Sequence, residues 1–349
     1  MRPQPFRIEP IFFERLWGAR SLAPFFPEME DLKSPIGEAW LTGLDCRIAT
    51  GPFAGKSLGA TWREMPPEWR GTRLTATAEF PILVKFIFPT DKLSVQVHPD
   101  DAYAASHEQA AGGRGKTEMW HAVSAGPGAH VLVGLVPKVK AEDFLAAIET
   151  QTLEDLFVHW RVQPGDTFFV PAGTPHTIGP GMVLCEVQEY SDLTYRVYDY
   201  GRVDTQGKPR ELQIEKALDV IEFGRPISGK ASRIHLPGHG MQNSLLAACR
   251  YFTTERWKIS APTEALSDPE HFDLLVILTG SGNFTWGSEP AAYQNGECWL
   301  VPAGLGKYSV NPNEPSKLLR TYVPDLAALR ANLERAGHSW QEIAKTVFD

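Results

Sequence analysis

Four cysteines in 349 residues, with no Cys-x-x-Cys spacing among Cys46, Cys185, Cys249 and Cys298, exclude a disulfide framework and a thiolate metal cluster. They read as scattered reduced thiols. No run approaches the roughly 20 apolar residues of a membrane span. A net charge of -8 leaves the chain short of the basic surface that nucleic acid or anionic lipid would need. The opening MRPQPFRIEP has no apolar core of a secretion signal, so a cytoplasmic protein is expected. What the chain has in quantity is turn punctuation, Gly 30 and Pro 28, between short runs of β-branched and aromatic residues. That pattern predicts a mainly β protein.

The chain also repeats itself. QPGDTFFVPAGTPH at 163–176 aligns without a gap on QNGECWLVPAGLGK at 294–307. Gln163, Gly165, Val170, Pro171, Ala172 and Gly173 recur as Gln294, Gly296, Val301, Pro302, Ala303 and Gly304, while His176 becomes Lys307. Such a repeat means one kind of domain built twice. The copy that keeps a potential metal ligand is the one in which chemistry is expected.

Strands are predicted at 82–88, 93–98, 118–124, 130–135, 167–170, 183–189 and 194–200, with a second series at 251–260, 272–278, 283–286, 298–301 and 317–322. Helical spacing predicts an insertion over 138–160, helices at 211–222 and 325–347, and a short helix plus loop at 59–70. Linkers are expected at 224–233 and 261–270. The architecture expected is two small tandem β-barrels with helical additions. Residues 1–233 would form the active one, and residues 234–349 a degenerate one with a helical tail.

A hydrophobic-Pro-Ala-Gly-x-x-His motif after a Gly-Asp turn resembles the cupin superfamily, and its tandem occurrence resembles a bicupin. On strand 93–98, Ser94, Gln96 and His98 share one face, and Leu93, Val95 and Val97 the other. A lone histidine is ordinarily a satisfied core residue; here Glu118 and His176 supply partners at cupin-like positions. The second half has Phe272 at the gapless equivalent of Glu118, counted from Gly126 and Gly280. Gln96, His98, Glu118 and His176 therefore form the candidate metal set, suited to a borderline ion such as Zn²⁺, while the His-Glu-His part could also hold Fe²⁺ or Mn²⁺. His107, His159, His235, His239 and His338 fall in loops or helices without ligand spacing, His271 opens a strand of the second half, and His121 is a possible supporting group.

Cations gather around this set. Lys85 interrupts the apolar run ILVKFIF, Lys116 shares a face with Glu118, Arg196 lies in TYRVYDYGR, and Arg202 follows it. Lys85 reads either as an edge lysine reaching water or as a pocket cation, and Arg202 either as a pocket cation or as a solvated rim. Together they suit a phosphorylated small-molecule substrate.

Four ordered motifs, KLSVQVHPDD at 92–101, GKTEMWHAV at 115–123, PAGTPHTIG at 171–179 and EVQEYSDLTYRVYDYGR at 186–202, resemble the type I phosphomannose isomerases, short bacterial and archaeal branch. PIFFERLWGARSL at 10–22 is similar to that family's opening, centred on Trp-Gly. The resemblance implies one zinc per chain at Gln96, His98, Glu118 and His176, an active-site Arg196, and Ser94, Lys85 and Lys116 lining a sugar-phosphate pocket. It implies interconversion of mannose 6-phosphate and fructose 6-phosphate through a cis-enediol. The general base stays open among Glu186, His121, Lys116 and a metal-bound hydroxide. Other readings are an isomerase of another sugar phosphate, a cupin Fe(II) oxygenase, which leaves the cations unexplained, and a non-catalytic sugar-phosphate binder.

Overall fold

The apolar runs become strands of a mainly β protein. The computed structural model describes residues 2–74, 78–203, 207–225, 229–238, 240–287 and 289–349. Their strands form four antiparallel sheets. A six-stranded sheet runs Ile11–Ala19, Ile36–Trp40, Ile82–Ile87, Met182–Glu189, Glu118–Ala125, Thr167–Val170. Facing it is a five-stranded sheet of Tyr195–Tyr198, Val95–Val97, His176–Ile178, His130–Leu135 and Phe157–Arg161. Ile87, Trp120, Phe168 and Leu184 from the first meet Val131, Val133 and Ile178 from the second in one core.

The second half repeats this. A seven-stranded sheet orders Phe6–Ile8, Cys298–Val301, Asp273–Thr279, Ser316–Tyr322, Thr253–Ile259, Gln242–Ala248 and Ile234–Leu236. It packs through Trp257, Leu275, Ile277 and Trp299 on Phe284, Tyr293 and Val310 of a four-stranded sheet, Thr263–Leu266, Lys307–Pro312, Gly282–Trp286, Glu289–Tyr293.

The two sandwiches meet back to back. Val84, Phe86, Met119, Cys185 and Val187 of the six-stranded sheet share a core with Leu274, Val276, Cys298 and Leu319 of the seven-stranded one and with Phe272 just before it. A strand covered on both faces has no solvent side, so ILVKFIF reads as a nearly unbroken apolar run. Its parity still sorts function from packing: Val84 and Phe86 face the second sandwich, and Lys85 and Ile87 face into the first. All four cysteines are buried and free.

The recurring glycines have backbone reasons. Gly165 and Gly296 turn their hairpins at φ 91 and 79, and Gly173 holds φ 78 with no room for a Cβ, which would lie 2.9 Å from the Val220 carbonyl oxygen.

Several expectations are corrected. The 138–160 insertion is helical only over Ala141–Glu149, with a 3₁₀ turn at Leu153–Leu156. Gln151, at φ 59, ends the helix, and Phe157–Arg161 pairs with His130–Leu135 as an edge strand. The 261–270 linker contains strand Thr263–Leu266. The 325–347 tail is two helices, Leu326–Arg335 and Trp340–Ile343, broken at Gly337 (φ 93), with Ser339 capping the second. The 211–222 helix shortens to Ile214–Val220, and 59–70 gives two short helices, Leu58–Glu64 and Pro67–Arg70. His159 and His235 lie on strands, not in loops or helices. His239 and residues 226–228 of the expected 224–233 linker lie outside the described residues.

The repeat register is corrected too. Glu118 lies opposite Val170, and the matching Val301 lies opposite Asp273, not Phe272. Backbone hydrogen bonds agree: Gly165 N donates to Ala122 O, and Gly296 N to Ile277 O. The β-bulges at Val123 and Leu278 stand one residue further apart than Gly126 and Gly280, so glycine-to-glycine alignment slips by one. A one-residue slip turns a side chain to the other face. Phe272 accordingly belongs to the core between sandwiches.

Candidate metal and substrate site

The floor of the first sandwich carries the chemistry. Val95 and Val97 pack outward in the core that includes Phe144 and Ala217 of the flanking helices. Ser94, Gln96 and His98 therefore point in. Gly173 N donates to the His98 carbonyl at 2.8 Å, and His176 pairs with Gln96 and Val133, which ties the Pro-Ala-Gly turn to the ligand strand.

His98, Glu118 and His176 are buried, and their ligand atoms all lie within 4.8 Å of one another. Glu118 Oε2 lies 3.6 Å from His98 Nε2, and Glu118 Oε1 lies 3.4 Å from His176 Nε2. Both imidazoles are oriented through Nδ1, which lies 2.9 Å from the Leu193 carbonyl in His98 and 2.9 Å from the Thr174 carbonyl in His176. With the proton on Nδ1, each Nε2 carries its lone pair inward. Among the described residues, buried Glu118 Oε1 and His98 Nε2 have no hydrogen-bond donor, and Glu118 Oε2 is met by the Lys116 ammonium. Unanswered buried acceptors are costly. A divalent ion would answer all of them, and tetrahedral bonds of about 2.0–2.1 Å separate neighbouring ligands by roughly 3.4 Å. The residues fit such an ion. The Gln96 amide, with Nε2 at 3.2 Å from His176 Nε2, stands beside them.

The electrostatics favour a cation. Burial and the Lys116 charge push His98 down to about 3, and burial lowers His176, so both rings are neutral ligands. Burial alone would raise Glu118, but Lys116 and the histidines hold it well below the usual range. Lys116 Nζ stands 3.1 Å from Glu118 Oε2.

Lys85 points into the sandwich and does not reach water. Its Nζ lies 2.9 Å from Asp192 Oδ1, 3.6 Å from Glu186 Oε1 and 4.5 Å from the Trp40 ring centroid. Burial opposes its charge, but Asp192, Glu186 and Glu38 outweigh it and raise the pKa. Glu186 accepts from Trp120 Nε1 at 3.1 Å, and Trp120 packs 5.3 Å from His176. Burial and the Glu118 charge push Glu186 up to about 7.

Arg196 donates from Nε to Ser94 Oγ at 3.3 Å and from Nη1 to the Glu211 carbonyl at 3.2 Å. Among the described residues it has no carboxylate within ion-pair distance, and burial lowers its pKa. Arg202 is not brought to the cluster. It is engaged with Asp199 at 2.6 Å, a carboxylate that Arg210 also pairs with, and this commits its charge away from the metal ligands.

His121 is corrected. It bonds Thr167 Oγ1 at 3.0 Å on the face toward the second sandwich, where burial and the Arg256 charge push it down to about 3. Strand parity separates it from Glu118 and Trp120. Glu38 and Asp192 were missed by sequence reading. Glu38 joins Trp40 Nε1 at 2.7 Å and Arg15 at 2.9 Å. Its signal was the alternation in IGEAW, which puts Glu38 and Trp40 on one face. Asp192 reaches Lys85 from a loop, and no periodicity marks it.

Comparison with known proteins agrees with this geometry. Residues 242–321 match the mannose-6-phosphate isomerase, cupin domain family. The chain is 33% identical over 317 residues to mannose-6-phosphate isomerase ManA of Bacillus subtilis, covering 89% of this chain and 96% of that one. It is 34% identical over 304 residues to mannose-6-phosphate isomerase of Streptococcus mutans, covering 84% and 92%. The crystal structure of the Bacillus subtilis mannose 6-phosphate isomerase superposes with a TM-score of 0.82 at 28% identity, over 91% of this chain and 99% of that one. Among the described residues no helix is long and apolar enough to cross a membrane.

Proposed function

The chain belongs to the mannose-6-phosphate isomerase family and is by that membership a sugar-phosphate isomerase; from that premise we propose that it interconverts D-mannose 6-phosphate and D-fructose 6-phosphate through a cis-enediol, with one zinc ion per chain. The carrying observation is the buried Glu118 set between the Nε2 atoms of His98 and His176, with Oε1 lacking any hydrogen-bond donor among the described residues. His98, Glu118, His176 and Gln96 would hold the ion, and bound there it would polarise the sugar oxygens as a Lewis acid.

The reaction moves one proton from C2 to C1 of the open-chain sugar and a second from the C2 hydroxyl to the C1 oxygen, and negative charge builds on these oxygens as the C2 proton leaves. Arg196, half-buried and, among the described residues, without a carboxylate at ion-pair distance, is placed to meet that charge. Glu186 is assigned the proton. Its carboxyl is held near 7, so one oxygen can take the proton from C2 and return it to C1 at neutral pH. Lys116 fixes Glu118, Lys85 fixes Glu186 and Asp192, and Ser94 orients Arg196. Arg202, though paired with Asp199, is close enough for its charge to bear on Arg196 and is kept as a proposed contact at the outer rim. We place the unit boundary near 233/234, just before strand Ile234–Leu236 enters the seven-stranded sheet, and the enzyme in the cytoplasm.

The test is a coupled assay of fructose 6-phosphate formation from mannose 6-phosphate, before and after chelation. Loss on chelation and recovery with zinc is expected. A folded, metal-loaded enzyme without turnover would overturn the substrate, and oxygen uptake would instead favour the oxygenase.

A further inference from the structure

The edge strand of the six-stranded sheet is interrupted where it borders the site. Glu14 and Ala19 both lie opposite Ile36, so Arg15, Leu16, Trp17 and Gly18 loop out of the ladder. The loop is fixed. Thr90 N donates to the Trp17 carbonyl at 2.8 Å, and Thr90 Oγ1 to the Gly18 carbonyl at 2.8 Å. A Cβ on Gly37 would lie 2.5 Å from Arg15 Cβ and 2.6 Å from the Trp17 ring, so the neighbouring strand is shaved to let both side chains pass.

Arg15 is held in one direction. Its Nε and Nη2 donate to Glu38 at 2.9 and 3.1 Å, its Nη1 to the Glu14 carbonyl at 3.1 Å, and its guanidinium lies 5.3 Å from the Phe13 ring. A guanidinium carries five N–H donors, and those contacts use three. The two left are on Nη1 and Nη2, the pair that meets phosphate oxygens in a fork. The side chain is 31% exposed, so this edge is open to a ligand.

Contacts run unbroken along one face from Arg15 to the ligand set. Glu38 bonds Trp40, the Trp40 ring carries Lys85, Lys85 pairs with Glu186, Glu186 bonds Trp120, and Trp120 packs on His176. The opposing sheet contributes Arg196, whose pKa is lowered by burial first and by the charges of Arg210, Arg202 and Arg15 as well. Glu38 answers Arg15 but is shared with Lys85, so two guanidiniums on facing sheets still offer positive charge to an anion between them.

We infer that Arg15 is a specificity-determining residue for the anionic end of the substrate, its spare N–H edge receiving phosphate oxygens while Glu38 fixes its direction. This rests on the sugar-phosphate reading and adds a residue to it. The test compares wild type, Arg15→Ala and Arg15→Lys as full-length, metal-loaded enzymes. Mannose 6-phosphate KM and the competitive Ki of inorganic phosphate should both rise roughly 10-fold in Arg15→Ala, with kcat, metal content and melting temperature near wild type. Arg15→Lys should recover part of the loss. An unchanged KM and Ki, or a loss confined to kcat, overturns the inference. Should Arg15→Ala fold poorly, Arg15→Gln, which keeps the stem packed on Gly37, is read by the same two constants. If wild type does not turn over mannose 6-phosphate, the substrate reading fails by itself. Calorimetric binding of inorganic phosphate then decides Arg15: weaker binding in the variant sustains it, and equal binding overturns it.

Discussion

The two sandwiches share one frame and answer its buried charges in opposite ways. In the first, Lys85 lies opposite Glu186 on neighbouring strands; at the matching register of the second, Glu255 lies opposite Arg320. The ion pair is kept and its polarity reversed. Glu118 corresponds to Asp273: Asp273 is approached by Arg320 Nε at 3.0 Å and His271 Nδ1 at 3.2 Å, and Glu118 by Lys116 Nζ at 3.1 Å and by the Nε2 atoms of His98 and His176 at 3.6 and 3.4 Å. His176 corresponds to Lys307, whose side chain is 78% exposed, and its strand partner Gln96 to Leu266, 68% exposed. The frame tolerates a buried carboxylate beside a protein cation at this place in both copies, and what makes a metal site is the pair of imidazoles that turn Nε2 toward Glu118, where the second copy has Lys307 in place of His176.

Removing ligands should break the comparison hardest. His98→Ala or His176→Ala should lose metal and turnover together, while Lys307→Ala at the matching place leaves both intact. Metal analysis beside the coupled assay decides, and wild-type zinc in either histidine variant refutes the site. Next, Arg196→Ala should keep its metal and lose about 100-fold in kcat, as expected for a group meeting developing charge. Glu186→Gln should also retain metal. Wild-type kcat/KM should fall on the acid side of about 7 as Glu186 protonates, and this limb should vanish from the residual activity of the variant.

The second sandwich predicts a stability effect with no catalytic one. Asp273→Asn leaves Arg320 buried with one carboxylate fewer and should cost about 3 kcal/mol by denaturant titration, with activity per folded molecule unchanged. Burial would raise the Asp273 carboxyl, but Arg320 holds it below the ordinary 3.8. A lowered folded pKa means the contribution is complete above the unfolded value and lost as pH falls through the folded one. The difference between wild type and variant should therefore begin to shrink below about pH 4 and close only once pH has fallen through the lowered folded value. The smallest change expected is at His121, where Phe should alter kcat less than about threefold because the ring faces away from the site.

Much of this was legible in the sequence, for local reasons. Alternation in LSVQVH put Gln96 and His98 on one face, and the repeat singled out His176 by its loss at Lys307. The ILVKFIF run predicted a strand, but its lack of a polar side came from a second sandwich that no local pattern announces. Glu38, Asp192 and Arg15 reach the site across sheet edges and loops, so their meeting depends on tertiary closure. The exchange of Phe272 for Asp273 came from matching glycines, which mark turns, where hydrogen-bond register was needed. His121 fell to the same parity rule: it sits among residues that look alike by composition and differ only in direction.

Because the six-stranded sheet is both the floor of the site and one wall of the joint with the second sandwich, the catalytic half has no independent exterior on that side. A shortened gene encoding only the ligand-bearing half would present Val84, Phe86, Met119, Cys185 and Val187 to water as an adhesive sheet face. The degenerate copy thus persists as a permanent chaperone for its twin, free to discard every ligand but not its greasy back.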